Sequence, residues 1–188
     1  MKAHHITRRL VWALSLAVVA AFAAGCSSCK PGSPPGPALS YDLQITPGES
    51  LKGSSVVVDV VGINQSEIQK WQTYSLRKYW KPADPLRQDA TKFTVSFLPG
   101  DQSPSLLTKT NQIWGKWLKS GVQYLVVVAD LPGVYDEGKI GSQDPRRQMI
   151  PICKCYWPDK TQKLDFKVQA GGVTVNTMPR EGWLLPPW

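Results

Sequence analysis

Four cysteines are the side chains whose type and spacing suit chemistry most directly: Cys26, Cys29, Cys153 and Cys155. Cys153 and Cys155 are two residues apart in a predicted strand, which would place both side chains on one face. Such a pair could bind a soft metal, but a third thiol would have to complete the site. For an exported protein we favour a disulfide between Cys29 and one of the pair, with unpaired thiols as the alternative.

A polar loop, residues 133–145, and its flanks carry a second set of candidates. Its carboxylates could do acid–base work or bind calcium, but their spacing fits no calcium loop, and Asp is ordinary in turns. We expect a structural or partner-binding loop in which Asp136, Arg146 and Arg147 are the binding candidates. A histidine-free hydrolase that uses Asp130 and Asp136 is a further hypothesis.

Tryptophan rings form a third group, since aromatic platforms bind sugars and protein partners alike. Three of them fall in helical patterns and are expected in the core: Trp71, Trp114 and Trp117. Three others lie at the ends of predicted elements and are candidates for contact with a ligand or partner: Trp80, Trp183 and Trp188.

The N-terminus combines a basic head with an apolar stretch and small residues. Lys2, Arg8 and Arg9 precede the apolar run Leu10–Ala24, in which Ser15 is the one polar residue. This pattern predicts a secretory signal rather than a membrane-spanning helix. The sequence Ala-Ala-Gly-Cys at 23–26 resembles the lipobox of bacterial lipoproteins, whose cysteine is acylated and becomes the first residue of the mature chain. The resemblance implies lipid attachment at Cys26; an ordinary signal peptide cleaved near Ala24 is the alternative.

Loss of residues 1–25 would leave 19 basic and 14 acidic residues, a net charge of +5 without clustering. Nucleic-acid binding would require basic side chains concentrated on one face. Both histidines, His4 and His5, lie in the signal. The mature chain therefore has no Ser-His-Asp or Cys-His catalysis and no imidazole metal site, and we expect neither an enzyme nor a cofactor. No second apolar stretch is long enough to span a membrane.

Residues 26–40, rich in Pro, Gly and Ser, predict an extended tether, and 41–188 a single domain. Apolar alternation, β-branched or continuous apolar runs and turn signals predict strands at 41–46, 54–63, 91–98, 122–129, 148–157, 163–169 and 173–177, the last two forming a hairpin. Helical spacing predicts helices over 66–80 and 109–119. The fold class expected from this pattern is mainly β, a sandwich with one or two short helical insertions.

The arrangement resembles the outer-membrane lipoproteins of type VI secretion systems (TssJ-like). The residues that carry the resemblance are Ser55–Ile63, an insertion ending at Tyr79-Trp80, the turn Leu98-Pro99-Gly100 and Tyr124–Ala129. It implies a transthyretin-like or immunoglobulin-like β-sandwich that is anchored to the outer membrane and uses a loop to bind the periplasmic part of an inner-membrane protein. Ser27 follows Cys26 where Asp would favour inner-membrane retention, which also indicates the outer membrane.

These features predict a lipid-anchored envelope scaffold that faces the periplasm and binds a protein partner there. The alternative is a periplasm-facing lipoprotein that binds a glycan or small ligand through exposed tryptophans.

Overall fold

Eight short strands form in the part of the chain that the computed structural model describes, residues 36–135 and 143–181. All of these residues belong to one unit, Pro35–Trp188. The strands are β1 (Asp42–Pro47), β2 (Val56–Ile63), β3 (Lys92–Phe97), β4 (Ser105–Leu107), β5 (Tyr124–Asp130), β6 (Arg147–Pro151), β7 (Lys163–Gln169) and β8 (Gly172–Val175).

The strands form two four-stranded sheets with the orders β4-β1-β7-β8 and β3-β2-β5-β6. β1 runs parallel to β7, whereas the other pairs of neighbouring strands are antiparallel. β7 and β8 make the predicted hairpin, in which Gln169 pairs with Gly172. The predicted fold class, a mainly β sandwich with short helical insertions, is confirmed.

The core between the sheets is apolar on both sides. From β2 it receives Val56, Val58 and Val60, while the first sheet contributes residues such as Ile45 and Phe166. β5 is buried on both faces from Tyr124 to Ala129, as expected of a central strand. This core fixes the two sheets against each other by non-directional burial of apolar area.

One helix contributes two aromatic side chains to that core. This helix, Gln112–Lys119, is the fourth in the chain and is called α4. Its Trp114 and Trp117 are buried, as the sequence predicts. The two rings meet edge to face, with centroids 5.1 Å apart. A Cβ on Gly62 would lie 2.6 Å from the Trp117 ring, so β2 needs glycine at this position to let the indole pack against its backbone.

The connection from β2 to β3 holds the other three helices: α1 (Ile68–Thr73), α2 (Leu76–Tyr79) and α3 (Pro85–Asp89). They pack on the outer face of the β3-β2-β5-β6 sheet through Trp71, Tyr79 and Leu86. The prediction of one helix over 66–80 is wrong, because the backbone is extended at Tyr74 and Ser75 before α2 begins. Ser75 then caps α2 by accepting a hydrogen bond from the Lys78 N–H group.

The predicted strand over 148–157 is also wrong in its second half. β6 ends at Pro151, and residues Lys154–Tyr156 form a single turn of 3₁₀-helix instead. Proline has no N–H group to continue a ladder, which favours the end of the strand there. No helix in the described ranges is both long and apolar enough to cross a membrane.

Candidate functional site

The first described residues run beside the cysteine-containing turn. The Leu39 N–H group donates to the Ile152 carbonyl at 3.0 Å, and the Lys154 N–H group donates to the Pro37 carbonyl at 3.2 Å. Ala38 forms an isolated antiparallel bridge with Cys153 between these two bonds. We call residues 36–39 the leading segment; it adds a short, backbone-paired strip to the edge of the domain.

Cys153 and Cys155 differ in chemical state. Cys153 is a free, fully buried thiol, whereas Cys155 is disulfide-bonded to a partner that lies outside the described residues. A Cβ at Gly36 would lie 3.0 Å from the Cys155 sulfur, so glycine leaves room for that atom. Pairing with Cys29 stays a prediction, since Cys26 and Cys29 lie outside the described residues as well.

The expectation that Cys153 and Cys155 share a strand face is wrong, because Cys153 begins a 3₁₀ turn and Cys155 lies inside it. The alternation of side chains along a strand does not apply to such a turn. Burial raises the pKa of the Cys153 thiol to about 11. Only the thiolate is a strong nucleophile or metal ligand, so this side chain is chemically inert near neutral pH. Within residues 36–135 and 143–181, no cluster of three or more His, Cys, Asp or Glu side chains could hold a metal ion.

The base of the polar loop contains a buried ion pair. Arg146 donates to both carboxylate oxygens of Asp144, from Nε at 3.0 Å and from a terminal nitrogen at 2.6 Å. The guanidinium also lies 4.3 Å from the centroid of the Tyr135 ring, and the Tyr135 hydroxyl donates to the Ala170 carbonyl. These contacts connect the two ends of the loop to each other and to the turn between β7 and β8. Asp136 lies outside the described residues.

Arg147 is the neighbouring buried cation. Its guanidinium donates to the main-chain carbonyls of Trp71 and Tyr74, at 2.6 and 2.9 Å. Carbonyls in the last turn of a helix lack partners within the helix, and a cation there also interacts favourably with the helix dipole. Arg146 and Arg147 are therefore occupied inside the domain. A partner-binding role for these two side chains stays a prediction that their geometry does not favour.

Trp80, the aromatic candidate within the described ranges, is only half-exposed. The Arg87 guanidinium lies 4.5 Å from its ring centroid, and the Tyr79 ring meets it edge to face at 5.1 Å. One ring face is thus covered by a cation, and a role for Trp80 in contact with a ligand or partner stays a prediction. Trp183 and Trp188 lie outside the described residues.

A buried carboxylate that sequence reasoning missed lies behind Trp80. Asp59 of β2 is fully buried and accepts hydrogen bonds from Thr94 Oγ1 at 2.6 Å, Arg87 Nε at 2.8 Å and the Tyr79 hydroxyl at 3.0 Å. Burial and the adjacent carboxylate raise the pKa of Tyr79 far above its ordinary value, so its hydroxyl remains a donor. The available signal was one acid within the valine-rich sequence of β2, on the face opposite Val58 and Val60.

Asp130 ends β5 at the surface. Partial burial raises its pKa, and the charges of Arg146 and Arg87 act in the opposite direction. Asp136, the second acid of the hydrolase hypothesis, lies outside the described ranges.

A surface cavity of about 460 Å³ lies beside the loop base. Three separate segments line it, with Gln72 from α1, Gln143 from the loop and Gln169 and Thr174 from the hairpin. Side-chain amides offer both donors and acceptors. The charged groups at its wall, Asp144 and Arg147, are occupied by the contacts described above, so the polar groups that the cavity presents, beside apolar ones, are mainly neutral.

The sequence was compared with known families and proteins, and the fold with solved structures. No family model matches the chain, and no curated protein is similar enough in sequence to match. Among solved structures, the type VI secretion lipoprotein TssJ1 from Pseudomonas aeruginosa is 12% identical, over 78% of this chain and 99% of that one, with a TM-score of 0.44.

Two further solved structures are similar to this chain to about the same degree. The lipoprotein Lip of Serratia marcescens, a membrane-bound component of the type VI secretion system, is 10% identical over 72% of this chain and 95% of that one, with a TM-score of 0.44. A structure described as the TssM C-terminal domain from EAEC is 14% identical over 72% and 98%, with a TM-score of 0.46. TssJ1 and Lip are both described as type VI secretion proteins. The likeness is one of fold.

Proposed function

We propose that this chain is a lipid-anchored scaffold of the bacterial envelope. The observation that carries the proposal is the sequence from Lys2 to Cys26: a basic head, an apolar run and three small residues before a cysteine. The acyl chains of a lipoprotein together make attachment to the bilayer effectively permanent, whereas one chain alone gives marginal binding. The outer membrane, with the domain facing the periplasm, is the location that Ser27 favours.

The domain supports a scaffold role through what its polar groups do. Buried charges hold the helical insertion and the loop in place: Asp59 binds Arg87 of the insertion, and the Asp144–Arg146 pair orders the base of the loop. A general acid or base needs a proton-transfer group within reach of a substrate, and these groups are instead committed to internal hydrogen bonds. Binding, rather than catalysis, is therefore the activity that we propose.

Replacement of Cys26 tests the anchor. Cys26→Ser removes the sulfur that would take the lipid, and we expect the protein to move from the membrane pellet to the soluble periplasmic fraction. Cys29→Ser, a matched change three residues away, should leave the protein in the pellet. Continued membrane association of Cys26→Ser would refute the anchor.

For the partner we propose the cavity beside the loop base. The amides of Gln72, Gln143 and Gln169 make no hydrogen bond with the described residues and are available to a neutral polar segment of another protein. The sequence resemblance supplies the narrower form of the proposal, in which the partner belongs to a type VI secretion complex and the chain tethers that complex to the outer membrane.

A bulky charge in the cavity tests this surface. Thr174→Arg places a long cation among neutral groups, and we expect at least a tenfold loss of partner recovered from cross-linked envelopes. Thr110→Arg, an exposed threonine outside the cavity, is the matched control and should recover the partner normally. Equal recovery by both variants would exclude this surface. Recovery of peptidoglycan in place of a protein would favour the glycan-binding alternative.

A further inference from the structure

The cysteine inventory leaves two residues as partners for Cys155. The chain contains four cysteines, of which Cys153 is free and Cys155 is disulfide-bonded. The remaining sulfurs are those of Cys26 and Cys29. The inference below rests on the proposed function in one respect, because a lipid on the sulfur of Cys26 would leave only Cys29 for the bond.

We propose that Cys29 is bonded to Cys155 and that this disulfide is a second covalent attachment between the lipid-bearing end of the chain and the domain. The leading segment supports it, since its backbone bonds to Ile152 and Lys154 hold Gly36 against the Cys155 sulfur. Six residues lie between Cys29 and Gly36, which is enough chain to turn back on itself.

Formation of the Cys29–Cys155 disulfide requires an external oxidant. The thiols of Cys29 and Cys155 together lose two protons and two electrons as the sulfur–sulfur bond forms. A thiol oxidoreductase carrying a disulfide accepts them and leaves as the dithiol, through a mixed-disulfide intermediate. Exported proteins form such bonds because the compartment is oxidising.

Burial of Cys153 explains why the disulfide does not move from Cys155 to Cys153. Exchange requires a thiolate, and a thiol without solvent access whose pKa lies near 11 supplies almost none at neutral pH. The two residues are also too close along the chain for an unstrained bridge. Cys155 is thus the position from which a disulfide can reach the tether.

The consequence for anchoring is a shorter covalent path. Without the disulfide, eleven residue steps separate Cys26 from Pro37, the first described residue hydrogen-bonded to the rest of the domain, and these span at most about 40 Å. With the disulfide, three steps separate Cys26 from the bonded residue, or about 10 Å. Residues 30–35 then carry no tension, and cutting them does not free the domain.

A cleavable tether tests the proposal in the full chain. A recognition sequence for a site-specific protease is inserted after Ser33, and membranes from expressing cells are treated with the protease, with or without a thiol reductant. We expect the cut domain to stay in the pellet without reductant and to be lost to the supernatant with it. Cys153→Ala should behave as the parent chain, whereas Cys29→Ala and Cys155→Ala should each release the domain on cutting alone.

Release of the parent domain by the protease alone would overturn the proposal, as would retention of the cut Cys29→Ala domain without reductant. Peptide mapping under non-reducing conditions gives a second readout, because it identifies the residue joined to Cys155 directly. If the uncut protein were soluble, the lipid anchor would fail, and the mapped Cys29–Cys155 peptide would still decide the disulfide.

Discussion

The core between the sheets and the segments outside it are held by different forces. The core is built from apolar residues and from Trp114 and Trp117, and burial of apolar area is the main force that orders it. The segments outside it are held by directed polar contacts: Asp59 for the helical insertion, Asp144 and Arg146 for the loop, and backbone bonds to Ile152 and Lys154 for the leading segment. Apolar packing tolerates small shifts, whereas each polar attachment depends on a few specific atoms.

That difference predicts how substitutions in the two regions affect stability. A directed contact costs the desolvation of its groups if one partner is lost, but the loss falls on one segment. Loss of a core side chain leaves a cavity that all surrounding elements feel. We therefore expect core substitutions to lower the global free energy of unfolding, and polar substitutions to loosen a segment first.

The largest effect should come from Trp117→Ala. This side chain is 1% exposed, packs against Gly62 and donates from its indole nitrogen to the Thr91 carbonyl at 2.8 Å. Its removal should lower the free energy of unfolding by about 3–5 kcal/mol, measured by urea denaturation. Leu118→Ala, on the exposed side of the same helix, should change it by about 0.5 kcal/mol or less. Similar losses from both would contradict a core closed by Trp117.

Asp59→Ala should have a smaller and more local effect. Three donors lose their acceptor, but Arg87 is 30% exposed and regains water, which limits the loss to about 2–3 kcal/mol. Hydrogen exchange should accelerate in α2 and α3 before it does in β5. Thr94→Val, which removes one of the three donors, should cost about 1 kcal/mol. Equal acceleration in β5 and in the helices would show that Asp59 supports the whole fold rather than the insertion.

The same division explains what the sequence could predict. Alternation identifies β3 and the final hairpin, because one face of each must be buried, whereas continuous apolar and β-branched runs identify β2 and β5. The break at Tyr74 was not predictable from local spacing, since Arg147 binds that carbonyl from 73 residues away. The parallel pairing of β1 with β7 is likewise a long-range choice. Arg146 and Arg147 could be singled out from the sequence of the polar loop and its flanks. Their inward orientation could not, because it depends on Asp144 and on the carbonyls at the end of α1.

The smallest effect on stability should appear at alkaline pH, through the buried Cys153 thiol beside the leading segment. Burial raises the pKa of Cys153 from 9.0 to about 11 in the folded protein. The unfolded chain therefore loses this proton at lower pH than the folded one, so stability from this group is full below pH 9 and falls as pH rises toward 11. The slope cannot exceed about 1.4 kcal/mol per pH unit.

Comparison of the parent chain with Cys153→Ala isolates this contribution. Burial raises the pKa of Tyr41 to about 12, so that residue adds a decline of the same sign at higher pH. Both proteins contain Tyr41, and the difference between their unfolding curves from pH 8 to 10 should therefore report Cys153 together with its electrostatic interaction with Tyr41. We expect the advantage of the parent chain over Cys153→Ala to shrink across that range, mainly above pH 9. A constant difference would mean that the thiol ionises as easily in the folded domain as in the unfolded chain, and that the leading segment does not shield it from water.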